Sequence, residues 1–183
     1  MEIIQNGSIT QPRGFLASGA RGGVKPSGDN LDVALVVSEV PANAVAVYTK
    51  NVVQAAPLTI CRDHLSRDEP TRAVVLNSGN ANACTGENGL LNARKMCSQV
   101  ADFLCADTNE ILVCSTGVIG VQLPMDAIER GISIACGSLR RDGGNDASLA
   151  IMTTDIVPKV CAVEVEIDGT QCFIGGMAKG SGM

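Results

Sequence analysis

The apolar residues of this chain fall into short blocks whose spacing separates strands from helices. Leu31-Asp32-Val33-Ala34-Leu35-Val36-Val37 is a β-branched run bounded by turn residues and predicts a buried strand. Shorter apolar runs predict strands over 44–49, 56–61, 73–76 and 111–114. Leu90, Ala93, Cys97, Val100, Ala101 and Leu104 recur at helical spacing. Thr85 is placed to cap that helix, with Glu87 in the first turn, where a negative charge suits the helix dipole. Met125, Ile128, Ile132 and Cys136 form the apolar face of a second helix, with Pro124 in its first turn. A short third helix is expected over 145–152. Further on, Val163, Val165 and Ile167 alternate with Glu164, Glu166 and Asp168, as in a half-exposed strand. Asp168-Gly169 is a hairpin signal, and 171–174 returns as the partner strand. The first thirty residues, rich in Gly, Ser and Pro, read as loop, as does the charged stretch 64–71. Helices mixed with strands, and a terminal antiparallel hairpin, predict one layered α/β domain of mixed α+β type over 1–183.

Composition narrows this picture. A chain of 183 residues can bury a core, but with three Phe, one Tyr and no Trp that core must be aliphatic. Stacking platforms for bases are nearly absent, and the net charge is −5. Both argue against nucleic-acid binding, and the charge also argues against an anionic membrane surface. No apolar run approaches the roughly 18 residues of a membrane span. The N-terminus shows no basic region followed by an apolar run, so no secretory signal is expected. The eight cysteines lie at least eight residues apart, without a C-x-x-C pair, and His64 is the single histidine. That spacing disfavours a structural zinc site. The even count allows a disulfide framework. Settings such as Cys114 in Ile111-Leu112-Val113-Cys114 favour reduced thiols acting as small hydrophobes, and hence a reducing, cytoplasmic compartment.

Candidate chemistry gathers where apolar strands run into small, polar, glycine-rich loops. These are Asn77-Ser78-Gly79-Asn80-Ala81-Asn82-Ala83-Cys84-Thr85-Gly86, Ser115-Thr116-Gly117-Val118-Ile119-Gly120, and Gly175-Gly176-Met177-Ala178-Lys179-Gly180-Ser181-Gly182. Glycine lets backbone N–H groups approach a substrate oxygen, as an oxyanion hole requires. The residues themselves supply donors but identify no nucleophile or base. There is no G-x-S-x-G elbow and no phosphate-binding G-x-x-x-x-G-K-[ST]. His64, between charged neighbours, reads as a solvated loop residue.

These loops, together with Ile151-Met152-Thr153-Thr154-Asp155 and the closing Lys179-Gly180-Ser181-Gly182-Met183, closely resemble the ornithine acetyltransferase family, the glutamate N-acetyltransferases of arginine biosynthesis. The resemblance runs from about Gly14 to the last residue, with the motifs in family order. It implies a layered, self-processing fold of the N-terminal-nucleophile type. In this family a precursor cleaves itself before a threonine that follows the Lys-Gly-Ser-Gly-Met stretch. The chain, ending at Met183, is therefore expected to be an α chain whose catalytic threonine lies on a separate β chain. Such a threonine carries its own base, an α-amino group with a reference pKa of about 7.7–8.0.

The resemblance further implies that Thr116 and Gly117 form the oxyanion hole and that Thr153 and Lys179 bind substrate. It implies acetyl transfer from N-acetylornithine to glutamate through an acetyl-threonine enzyme, with no cofactor or metal and with acetyl-CoA as an alternative acetyl donor. The expected partner is the β chain, in an α2β2 or larger assembly. A self-processing amidase or aminopeptidase is the competing reading, by analogy of fold alone, and a binding domain without catalysis is a third.

Overall fold

Four strands in the order β2-β3-β4-β5 build the central sheet of the computed structural model, which describes residues 1–26 and 28–181. β2 (Phe15–Ala20), β3 (Val33–Ala42) and β4 (Thr71–Asn80) are antiparallel neighbours, whereas β4 and β5 (Ile111–Val118) run parallel. The parallel pair needs a crossover, which α2 (Gly86–Leu104) provides. Side chains alternate across the sheet. Val33, Leu35, Ala73, Val75, Ile111 and Val113 share one face, which is covered by α1 (Ala56–Leu65), α2 and α3 (Met125–Gly137). Ile60, Met96, Val100, Ile128 and Ile132 of these helices are fully buried there. The opposite face is made of smaller residues. Ala17 and Ala34 receive Ala147 and Ala150 of α4 (Gly144–Ala150).

A second sheet, β1-β6-β7, consists of β1 (Glu2–Ile3), β6 (Lys159–Ile167) and β7 (Thr170–Ala178). Met177 of β7 packs on the α4 core, so this sheet lies on that side. Asp168 (φ 50) and Gly169 (φ 74) make the two-residue turn between β6 and β7. Two positive φ values suit the primed turn that a twisted hairpin requires.

The long helices, the hairpin and the strands at 33–37, 73–76 and 111–114 form as their patterns predict. Four expectations do not hold. The first thirty residues contain β2, whose Ala17, Ser18 and Gly19 carry no apolar signal because α4 and α3 pack closely on it. A Cβ on Gly19 would lie 2.3 Å from the Asp146 carbonyl oxygen, and Ser18 Oγ donates to the Ala135 carbonyl at 2.8 Å. The stretch 56–61 is helical. Pro57 stands in its first turn, and Pro57, Ile60, Cys61 and His64 are buried at helical spacing. His64 therefore ends a helix and is 2 % exposed, with Nδ1 donating to the Ile111 carbonyl at 2.8 Å, not solvated in a loop. The stretch 44–49 forms no strand, and Val45 and Val47 are 98 % and 101 % exposed, since among the described residues no sheet edge pairs with them.

Two smaller differences concern helix ends. Pro124 stands at the N-cap of α3, one residue before the helix. Thr85 stands at the N-cap of α2 but makes no side-chain cap, because its hydroxyl donates to Asn82 Oδ1 at 2.8 Å.

All eight cysteines are free thiols. Cys61, Cys97 and Cys136 are buried, whereas Cys84, Cys105 and Cys161 are exposed and so are not core hydrophobes. Burial pushes the Cys97 thiol up to about 12 and those of Cys114 and Cys136 up to about 11. Among the described residues no helix is long and apolar enough to cross a membrane.

Candidate active site

The carboxyl ends of β4 and β5 lie in register, with Gly79 opposite Gly117. Both glycines have positive φ, +108 and +134. A Cβ on Gly117 would sit 2.3 Å from the Gly79 carbonyl carbon, so two bare backbones meet here and no side chain fits between them. β5 is an edge strand. The Ile111 carbonyl takes the His64 proton, and the Val113 N–H and carbonyl both meet Cys61 Sγ, so the polar groups of odd-numbered residues face away from β4. Strand alternation puts the Gly117 N–H on that same open edge.

The neighbouring asparagines are scaffold. Asn77 Nδ2 donates to the Asn80 carbonyl at 2.9 Å, Asn80 Nδ2 to the Gln122 carbonyl at 3.1 Å, and Asn82 Nδ2 to the Gly89 carbonyl at 2.9 Å. These bonds satisfy buried backbone carbonyls and hold the loop after β4 rigid.

A second wall comes from the loop before β3. The Asp32 side chain is fully buried, and its carboxylate accepts four successive backbone N–H groups. Gly22 donates to Oδ1 at 2.6 Å, and Gly23, Val24 and Lys25 donate to Oδ2 at 3.0, 2.7 and 3.2 Å. The loop is thereby wrapped around one charge, and its last residue, Lys25, is laid over Gly79. A Cβ on Gly79 would touch Lys25 Cγ at 3.2 Å. Lys25 Nζ donates to the Leu31 carbonyl at 2.7 Å. Burial lowers the Lys25 pKa, and the Asp32 charge opposes that shift.

The third wall joins the turn after α4 to the end of β7. Lys179 Nζ donates to Thr153 Oγ1 at 2.7 Å. Asp155 Oδ1 accepts the Lys159 ammonium at 2.5 Å and the Gly180 N–H at 2.6 Å, and Oδ2 accepts the Thr153 N–H at 3.2 Å. The bond from Lys159, then those from Gly180 and Thr153, hold the Asp155 carboxyl well below the usual carboxylate range. Thr154 and Ser181 hydroxyls meet at 3.0 Å.

The three walls border an open cavity of about 740 Å³, with Lys25, Gly79, Gly117, Thr153 and Lys179 among the residues that line it. A smaller cavity of about 360 Å³ adjoins it and shares Lys25 and Thr153. Three of the four residues singled out in the sequence, Gly117, Thr153 and Lys179, are thus brought together. The fourth, Thr116, lines a separate groove of about 340 Å³ with Leu112, Cys114 and Tyr48, because adjacent strand residues point to opposite faces. Its Oγ1 is buried with no hydrogen-bond partner among the described residues. Sequence reasoning missed Lys25, Asp32, Asp155 and Gly79. Asp32 was legible as a lone charge opening an apolar run, whereas nothing in the sequence brings Lys25 to Gly79.

This arrangement can hold an anionic small molecule. Two ammonium groups attract carboxylate. Among the described residues no group of three or more His, Cys, Asp or Glu converges on a metal position.

The ArgJ family model matches residues 16–183, nearly the whole chain. The chain belongs to the ArgJ family. The arginine biosynthesis bifunctional protein ArgJ of Caldanaerobacter subterraneus is 47 % identical over 183 residues, which are 100 % of this chain and 44 % of that protein. The protein of the same name from Symbiobacterium thermophilum is 49 % identical over 178 residues, 97 % of this chain and 44 % of its own length. The chain thus spans less than half the length of these relatives. Solved ArgJ structures agree in fold. The Bacillus halodurans ArgJ protein superposes with a TM-score of 0.91 at 40 % identity, covering 99 % of this chain and 94 % of the other. The ornithine acetyltransferase of Mycobacterium tuberculosis, solved with ornithine, gives the same TM-score and identity, covering 99 % and 95 %.

Proposed function

We propose that this chain is the α chain of a self-cleaved acetyltransferase that moves an acetyl group from N-acetylornithine to glutamate in arginine biosynthesis. The observation that carries this reading is the convergence of Gly117, Thr153 and Lys179 on one cavity in a chain of the ArgJ family. The matched relatives are more than twice as long as the region they share with this chain, yet the superposed solved chains are covered almost end to end. That difference supports a precursor divided into two chains.

In this reading the second chain brings an N-terminal threonine to the cavity. Its α-amino group takes the hydroxyl proton as the oxygen attacks the acetyl carbonyl. The Gly117 N–H stabilises the tetrahedral oxyanion, and Thr116 contributes from the opposite face of β5, across its open edge. Collapse releases ornithine and leaves acetyl-threonine, which the glutamate amine then attacks. Lys179 pairs with a substrate α-carboxylate while Thr153 holds its ammonium in place. No cofactor is assigned, and acetyl-CoA is an alternative donor. The assembly would be α2β2 or larger, in a reducing cytoplasm that suits eight free thiols.

The test is to express the full-length precursor and analyse the purified protein by intact mass. Two chains are expected, the second beginning with threonine. Incubation with N-acetylornithine should yield N-acetylglutamate only when glutamate is present. Release of acetate alone would favour an amidase, and a single uncleaved chain with no transfer would overturn the reading.

A further inference from the structure

We infer that Lys25 forms a second carboxylate subsite in the cavity, which selects an acidic amino acid as acetyl acceptor by binding its side-chain carboxylate. Three observations converge on it. First, the cavity holds two ammonium groups, Lys25 and Lys179, and among the described residues neither forms an ion pair. Lys179 is sufficient for the α-carboxylate that donor and acceptor share. A second cation in the same space matches a dicarboxylate and has no counterpart on N-acetylornithine, which carries one carboxylate.

Second, the nearby acids are already engaged. Asp32 is surrounded by four N–H groups, Asp155 by Lys159, Gly180 and Thr153, and Asp29 by Arg21 at 3.1 Å. Third, Lys25 is positioned rather than loose. The Asp32 cradle fixes its backbone, its stem rests on Gly79 beside Gly117, and one ammonium proton is spent on the Leu31 carbonyl. Two protons remain for a ligand. The partial burial that lowers the Lys25 pKa also strengthens any pairing with a carboxylate.

This inference rests on the acetyltransferase reading, and the experiment separates the two. The processed two-chain enzyme is prepared from the full-length precursor as the unaltered protein and as Lys25→Met and Lys25→Gln. Steady-state transfer from N-acetylornithine is measured with glutamate and with glutamine, which lacks the side-chain charge. In both variants KM for glutamate should rise at least tenfold more than KM for N-acetylornithine, and the preference for glutamate over glutamine should fall at least tenfold. A change below threefold in both ratios overturns the subsite. Failure of both variants to be processed also overturns it, because Lys25 would then serve folding or cleavage. If the unaltered enzyme releases no ornithine from N-acetylornithine, the acetyltransferase reading itself fails.

Discussion

Replacing the buried Asp32 carboxylate by its amide, Asp32→Asn, tests whether one charge holds the Lys25 wall. The amide keeps the shape but offers one acceptor oxygen where four N–H groups need two. The best orientation turns that oxygen to Gly23, Val24 and Lys25, which leaves the amide nitrogen facing the Gly22 N–H across 2.6 Å. Two donors then oppose each other, and a buried N–H goes unsatisfied at a cost of about 1–3 kcal/mol. The three retained bonds fall from charge-assisted to neutral strength, about 0.5–1 kcal/mol each. The expected loss is about 3–5 kcal/mol. At about 2–4 °C per kcal/mol for a protein of this size, the melting temperature should drop by about 6–20 °C. Asp29→Asn is the control, since its ion pair with Arg21 is solvent-exposed and should contribute less than about 1 kcal/mol. Thermal melting by circular dichroism gives the total effect, and amide exchange at Gly22 to Lys25 localises it. A melting temperature within 2 °C of the parent (about 1 kcal/mol or less), with those amides still protected, would refute the reasoning.

Gly117→Ala should lose at least about 2 kcal/mol more than Gly120→Ala. Both positions have positive φ, but a Cβ at Gly120 meets nothing within 4 Å while one at Gly117 strikes the Gly79 backbone; equal denaturation midpoints would remove the steric argument. Thr116→Ala should lower kcat by about 10²–10³-fold without loss of stability, because the buried hydroxyl has no partner to lose among the described residues; an unchanged kcat removes Thr116 from the mechanism. Burial raises the Cys97 thiol from 9.0 to about 12, so its contribution to stability is complete below pH 9 and is lost as the pH climbs towards 12. Urea midpoints should fall between pH 9 and pH 10.5 (roughly the lower half of that window), and Cys97→Val should flatten the fall; identical profiles for parent and variant would exclude this thiol as the cause.

Elements with a strong local signal are decided by the sequence. α2 and α3 form because their apolar residues repeat at helical spacing, and the β6–β7 hairpin forms because Asp168-Gly169 accepts two positive φ values at little cost. The site motifs are legible in the same way, since glycine, threonine and lysine at fixed order are local facts. Other elements are decided by packing. The middle of β2 is Ala17, Ser18 and Gly19 because α4 and α3 press on it, and tight packing there cuts short the apolar pattern that would have announced a strand. The segment 56–61 is too short for periodicity to choose between strand and helix, and burial of Ile60, Cys61 and His64 on one side makes the choice. The segment 44–49 is an apolar run like a strand but remains unpaired among the described residues, because a strand exists only where a neighbouring edge receives its hydrogen bonds. The cavity belongs wholly to the tertiary structure. Lys25, Gly79, Gly117, Thr153 and Lys179 span most of the chain, and their proximity depends on sheet register, the crossover through α2 and the Asp32 cradle, none of which any short stretch of sequence encodes.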